Sequence, residues 1–268
     1  MNPDTLKSMS KALAPKLRKR LEPSAHDELM LTFERLTPAE LRPGQSRAGG
    51  VPDLPDSLEH PAGLKFLCQI NLAEVPRTPA ASLLPSQGML YFFYDMKEQP
   101  WGIYPADKGK WAVLHADTAS DLRAGPGLDK ARSFQIRFTL ERRFTDPEFA
   151  EGEFSVEEAH TYRDALDEIA AGKFNKLTGM PDPMEGGIRE QCELASHGVI
   201  AGEASVRDDP VAAVLLEYPD DWRLLLQLDS ETPMGWMWGD CGRLYFMIPA
   251  PALERRDFSK AWVVLQSS

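Results

Sequence analysis

The chain has 268 residues, 43% apolar and 26% charged, with a net charge of −11. That composition supports a packed core and excludes a disordered chain. The acidic balance argues against nucleic acid or an anionic membrane as partner and points instead to a basic protein partner.

No apolar run approaches the ~18 residues of a membrane span, and the N-terminus lacks the apolar core of a secretory signal. A cytoplasmic location is therefore expected. Cys68, Cys192 and Cys241 are far apart and form no C-x-x-C pair, so buried free thiols in a reducing compartment are expected. Oligomeric state is not legible.

In chain order, residues 4–21 carry Leu6, Met9, Leu13, Leu17 and Leu21 at helical steps beside a run of Lys and Arg, which predicts an amphipathic helix with a basic face. Glu28–Leu36 fits a strand better than a helix, because Leu29, Leu31 and Phe33 alternate. Thr37-Pro38-Ala39-Glu40 suggests a short turn of helix. Residues 43–63 form a Pro/Gly-rich loop without the pattern of a phosphate cradle. Strands are predicted over Leu64–Leu72, Met89–Tyr94, Trp111–His115 and Ser133–Leu140, the last with Phe134, Ile136, Phe138 and Leu140 on one face.

Ser155-Val156-Glu157-Glu158 is a capping box that opens a helix to about Ala171. A second Gly/Pro loop spans 173–187. Short helices are expected over Ile188–Ser196 and from Asp209-Pro210 to Glu217. Two apolar strands within Trp222–Pro249 follow, and Ala261–Gln266 is a final strand.

An internal echo organises this list. Leu67-Cys68-Gln69-Ile70-Asn71 parallels Leu225-Leu226-Gln227-Leu228-Asp229, and Gly88-x-Leu90-Tyr91-Phe92 parallels Gly242-x-Leu244-Tyr245-Phe246. The expected fold class is α+β, with mixed or antiparallel sheets, flanking helices and an internal duplication of a strand–loop–strand unit. Residues 1–42 would form an N-terminal extension packed on the body. Residues 43–268 would form one domain of two similar halves, about 43–150 and 151–268.

Each copy places a Gln inside an apolar strand, with Asn71 or Asp229 two residues on and on the same face. Buried amides need partners, so the pairs Gln69/Asn71 and Gln227/Asp229 either hold the halves together, bridge to backbone, or line a ligand cleft. The second copy adds Trp236, Trp238, Asp240 and Arg243. Asp229 and Asp240 beside tryptophans would suit an acid/base pair, although Asp in such turns more often caps backbone. Asp53 and Asp182, beside prolines in the two Gly/Pro loops, read as hydrogen-bond anchors. Neither His115 nor His197 has another His at ligand spacing, and no nucleophile elbow is present. No metal or cofactor is expected.

Several segments together resemble the YwqG-like family of bacterial proteins of unknown function. They are Ser46–Pro55 (SRAGGVPDLP), Phe66–Leu72, Leu84–Tyr94, Thr178–Pro183 (TGMPDP), Trp222–Ser230 and Trp238–Phe246. The chain departs from that pattern at His60-Pro61, where the family usually has Trp-Pro, and at Met184-Glu185, where it usually has Ile-Gln. The resemblance implies a cytosolic α+β fold and no established reaction. The leading expectation is a non-enzymatic binding or protein-interaction module of accessory or immunity type. A hydrolase at Asp229/Asp240 and a small-molecule binder at the seam between the repeats are the alternatives.

Overall fold

In the computed structural model the described residues are 25–37, 39–124, 132–144, 146, 155–170, 172–185, 187–202, 206, 208–217 and 221–267. The basic helix predicted over 4–21 lies outside them.

Ten strands form one sheet in the order β12-β11-β10-β9-β1-β8-β2-β4-β5-β6, and two short strands, β3 (Asp53–Pro55) and β7 (Leu122–Ala124), pair separately. The ten are β1 (His26–Arg35), β2 (Arg47–Ala48), β4 (Lys65–Asn71), β5 (Met89–Tyr94), β6 (Trp111–Ala116), β8 (Phe134–Arg143), β9 (Lys176–Leu177), β10 (Trp222–Asp229), β11 (Arg243–Pro249) and β12 (Trp262–Gln266). Every neighbouring pair is antiparallel, the second of the two pairings expected.

The sheet curls until it is nearly a barrel. The loop between β5 and β6 reaches the other edge strand, β12, where the Leu265 N–H donates to the Trp101 carbonyl at 3.0 Å. Two indoles reinforce the closure. Trp111 Nε1 donates to the Ala261 carbonyl and Trp262 Nε1 to the Gly102 carbonyl, and the two rings meet edge to face at 4.9 Å. Gly102 has φ +75°, and a Cβ there would overlap the Val263 carbonyl. Only glycine fits this approach.

Alternation fills the interior. Leu90, Phe92 and Tyr94 of β5 point into the main core, while Met89, Tyr91 and Phe93 point to a smaller cluster outside the sheet. Phe92 meets Phe246 of β11 edge to face at 5.2 Å across the interior, and Tyr94 meets Trp238 at 5.8 Å. On β8 the predicted alternation holds at Phe134 and Ile136 and fades by Leu140, which is exposed. β2 pairs with only the first two residues of β8.

Among the described residues there are four helices: α1 (Val156–Ala170), α2 (Ile188–Ser196), α3 (Pro210–Glu217) and α4 (Ala250–Glu254). The predicted caps are present. Ser155 and Glu158 exchange side-chain-to-backbone bonds ahead of α1, and Asp209 accepts from the Val211 and Ala212 N–H groups at α3. The helix expected near Thr37 is only a turn, closed where Thr37 donates to Glu40. The fold is sheet-dominated, and α2 packs against both α3 and β12 around Leu194, Ala201 and Ala212. No helix among the described residues is long and apolar enough to cross a membrane.

Candidate functional site

Gln69 with Asp53, and Gln227 with Asp182, build the same local device. The Gln69 side-chain carbonyl accepts from the Asp53 N–H at 2.8 Å, and its amide donates to Asp53 Oδ2 at 3.0 Å and to the Gln45 carbonyl at 2.9 Å. Gln227 repeats this with the Asp182 N–H (2.8 Å), Asp182 Oδ2 (3.0 Å) and the Phe174 carbonyl (2.7 Å). Tyr91 donates to the Asp53 carbonyl and Tyr245 to the Asp182 carbonyl, each at 2.7 Å. A β-bulge sits just upstream of both glutamines, between Phe66 and Cys68 and between Leu224 and Leu226. Each aspartate also faces a buried cation, Arg47 or Lys176, six residues earlier in the chain.

These clasps explain the two Gly/Pro loops. Burial opposes ionisation of Asp53, but the Arg47 guanidinium, the Gly44 N–H and Gln69 outweigh it and hold the carboxyl below its usual range. Burial likewise opposes the Asp182 charge, and Lys176, Arg143 and Gln227 hold its carboxyl low. The Asp182 clasp carries one more carboxylate, because Lys176 also binds Glu28 of β1. A fully buried lysine requires such compensation. The side-chain amide of each glutamine is thus satisfied within its own clasp, and among the described residues no hydrogen bond joins Gln69 to Gln227.

Asn71 and Asp229 hold matching positions. The Asn71 N–H donates to Ser46 Oγ and the Asp229 N–H to Asn175 Oδ1. The Asp229 carboxylate lies 3.5 Å from Arg243 Nε. Burial, only partly offset by Arg243, pushes its pKa up to about 6. Arg243 in turn covers the Phe174 ring at 3.4 Å and donates to the Asp182 carbonyl.

Trp236 and Trp238 are buried. Trp238 Nε1 donates to the Asp229 carbonyl, and its backbone N–H to Ser230 Oγ. Asp240 stands exposed in the following turn. Cys68 and Cys192 are buried, and burial raises both thiols. Cys241 is exposed, unlike the buried thiols we expected. It takes φ +56° in the turn before β11. Among the described residues, no three His, Cys, Asp or Glu side chains gather as a metal-binding group.

The ligand-sized space lies elsewhere. A cleft of about 610 Å³ opens at the outer seam, where β6 approaches β12, well within the range of small-molecule sites. Its wall is Trp111, Trp222, Phe258 and Trp262, with Pro249 and Pro251 beside them. Its rim carries Lys108, His197, Arg255 and Lys260. No Asp or Glu lines it among the described residues. A second cavity of about 20 Å³, room for one water, adjoins Asp182, Arg243 and Phe174. Neither cavity is lined by Gln69, Gln227, Asn71, Asp229, Asp240 or the Trp236/Trp238 pair.

Sequence reasoning did not find the cleft. Lys108, Arg255 and Lys260 look like ordinary surface cations in the chain, and only closure of the sheet brings them to one mouth. The usable signal was Trp111 and Trp262, aromatics at the starts of β6 and β12, which the sheet order places at opposite edges.

The fold and its clasps define a nearly closed antiparallel sheet built on two matched loop anchors. Residues 46–267 match the family described as Domain of unknown function (DUF1963), and the chain belongs to that family. No curated protein matches it.

Proposed function

We propose that this protein is a non-enzymatic small-molecule binding module whose working surface is the seam cleft. The observation that carries this reading is the 610 Å³ space walled by three tryptophans and Phe258. The indole N–H groups of Trp111, Trp222 and Trp262 are all bonded within the protein, so a guest meets only the small edges of largely buried rings and no free indole N–H. A pre-formed apolar concavity is the usual basis of such binding.

The hydrolase reading gains one observation, the raised Asp229 carboxyl. It lacks a setting, because Asp229 turns to Arg243 and Asp240 is exposed, both away from the cleft. A basic protein partner remains a separate expectation from the net charge of −11.

We also read the two clasps as relics of one duplicated unit. On this reading the first copy lies within about residues 43–150 and the second within about 151–268. Likeness to the YwqG-like family and a cytosolic location belong to the same interpretation.

The test is a thermal-shift and tryptophan-fluorescence screen of small molecules against the wild type and Ser259→Trp. Ser259 is exposed at the cleft, so the new indole fills the space without entering the core. Ligands that raise the melting temperature of the wild type and not of the variant support the reading. Hits that bind both proteins equally, or an empty screen, overturn it.

A further inference from the structure

Resting on that cleft, we infer its ligand class: a small organic anion, with a carboxylate, sulfonate or phosphate head on a flat or extended apolar body. Two features of the cleft point the same way, and both stand apart from the clasps.

The first is charge. The protein carries −11 overall, yet the cleft mouth gathers Lys108, Arg255 and Lys260 and no lining carboxylate. Their side chains have no hydrogen-bond or ion-pair partner among the described residues, whereas neighbouring Lys110 and Arg256 are paired with Asp107 and Asp117. On a protein with 41 acidic residues against 30 Lys and Arg, three unneutralised cations around one concavity form a local positive field in an acidic surround. Low-dielectric walls focus such a field onto a bound anion. His197 stands at the same mouth. Its Nδ1 lies 2.8 Å from the Glu193 carbonyl and 3.4 Å from the Glu193 carboxylate, so it is already paired and the cationic rim rests on Lys108, Arg255 and Lys260.

The second is the division of polar capacity. With all three indole N–H groups occupied, polar recognition falls to the rim and apolar contact to the wall. A guest that satisfies both regions has a charged end and an apolar body. A bare inorganic anion would leave the wall empty, and a neutral hydrocarbon would leave the cations unused.

The experiment uses the full chain and matched probes: 8-anilinonaphthalene-1-sulfonate, its neutral counterpart N-phenyl-1-naphthylamine, dodecanoate and inorganic phosphate. Binding is followed by calorimetry and indole fluorescence at 20 mM and 500 mM NaCl, with wild type and Lys108→Glu/Lys260→Glu. Both lysines are exposed, so the charge reversal leaves the fold intact, which the melting temperature checks. The sulfonate or dodecanoate should bind at least about tenfold more tightly than the neutral probe. That preference should shrink in high salt and in the double variant. Tighter binding of the sulfonate assigns an aromatic body, and of dodecanoate an acyl one. Equal affinity for the neutral probe overturns the anion assignment while leaving the cleft itself a binding site. Phosphate binding as tightly as the organic anions overturns the apolar-body assignment. No binding by any probe overturns this inference, and the reading of the cleft falls only if the wider screen is empty too.

Discussion

Gln227 holds Asp182 by two opposed bonds, accepting from its backbone N–H and donating to its carboxylate. The partners lie 45 residues apart and on different elements, so the bonds fix a loop onto a strand. Gln69 does the same to Asp53. Each pair pins an irregular Pro-containing segment over the sheet, where it would otherwise strand buried backbone groups.

Replacing either glutamine by leucine should therefore cost about 2–4 kcal/mol, because the Asp N–H and a loop carbonyl lose their partners in a buried site. The two sites share no residue. The double variant should sum the single effects within about 0.5 kcal/mol. Urea denaturation of the four proteins measures this. A strong departure from additivity would mean that the halves communicate through the clasps.

Asp229 gives the opposite sign to ordinary acidic residues. Its folded pKa of about 6 lies above the usual aspartate value, so the folded state holds the proton more tightly than the unfolded chain. Stability from this residue is complete below about pH 4 and is lost as pH rises through about 6. Asp229→Asn should then leave stability nearly unchanged near pH 4 and raise it by on the order of 1–2 kcal/mol at pH 8. A variant less stable than wild type at pH 8 would show that the Arg243 contact outweighs burial. Asp53 and Asp182 act in the ordinary direction. Their folded pKa values are depressed, so their contribution is present above about pH 4 and disappears below it.

Closure of the sheet hangs on Gly102. Gly102→Ala places a methyl against the Val263 carbonyl in a left-handed backbone and should destabilise by several kcal/mol, roughly the upper range for point changes. Gly109→Ala is the control. It too has positive φ, but open space surrounds it, so its cost should stay near 1 kcal/mol. Comparable losses in thermal unfolding would shift the explanation from crowding to backbone strain.

Of the three thiols, Cys241 alone should react promptly with a disulfide reagent in the native protein. Cys68 and Cys192 should respond only on unfolding, because burial disfavours their thiolates. Counting fast thiols spectrophotometrically gives the answer, and more than one would indicate an open route to the core.

Strands with clean alternation or long apolar runs, such as β4, β5, β10 and β11, were legible because their periodicity depends only on local sequence. β2 and β9 were not, since two residues carry no period. Yet these strands place Arg47 and Lys176 opposite the clasped glutamines. Asp53 and Asp182 were read as anchors from their prolines, but their glutamine partners were not identified, because the pairing is long-range. The placement of Trp236 and Trp238 was not legible for a similar reason: the curled sheet sets Trp236 against Phe33 and Trp238 against Tyr94. The cleft was least legible, being made where strands distant in sequence meet.

The bond from Leu265 to Trp101 has a consequence for how copies of this protein meet in concentrated solution. A terminal strand such as β12 ordinarily exposes a row of backbone donors and acceptors that can recruit a strand from another molecule and seed aggregation. Here a loop from the far side of the same chain occupies that row at Leu265. Trp262 fixes the loop in place through the Gly102 carbonyl. The chain thus guards its own most templating element, and that protection is spent whenever the seam opens.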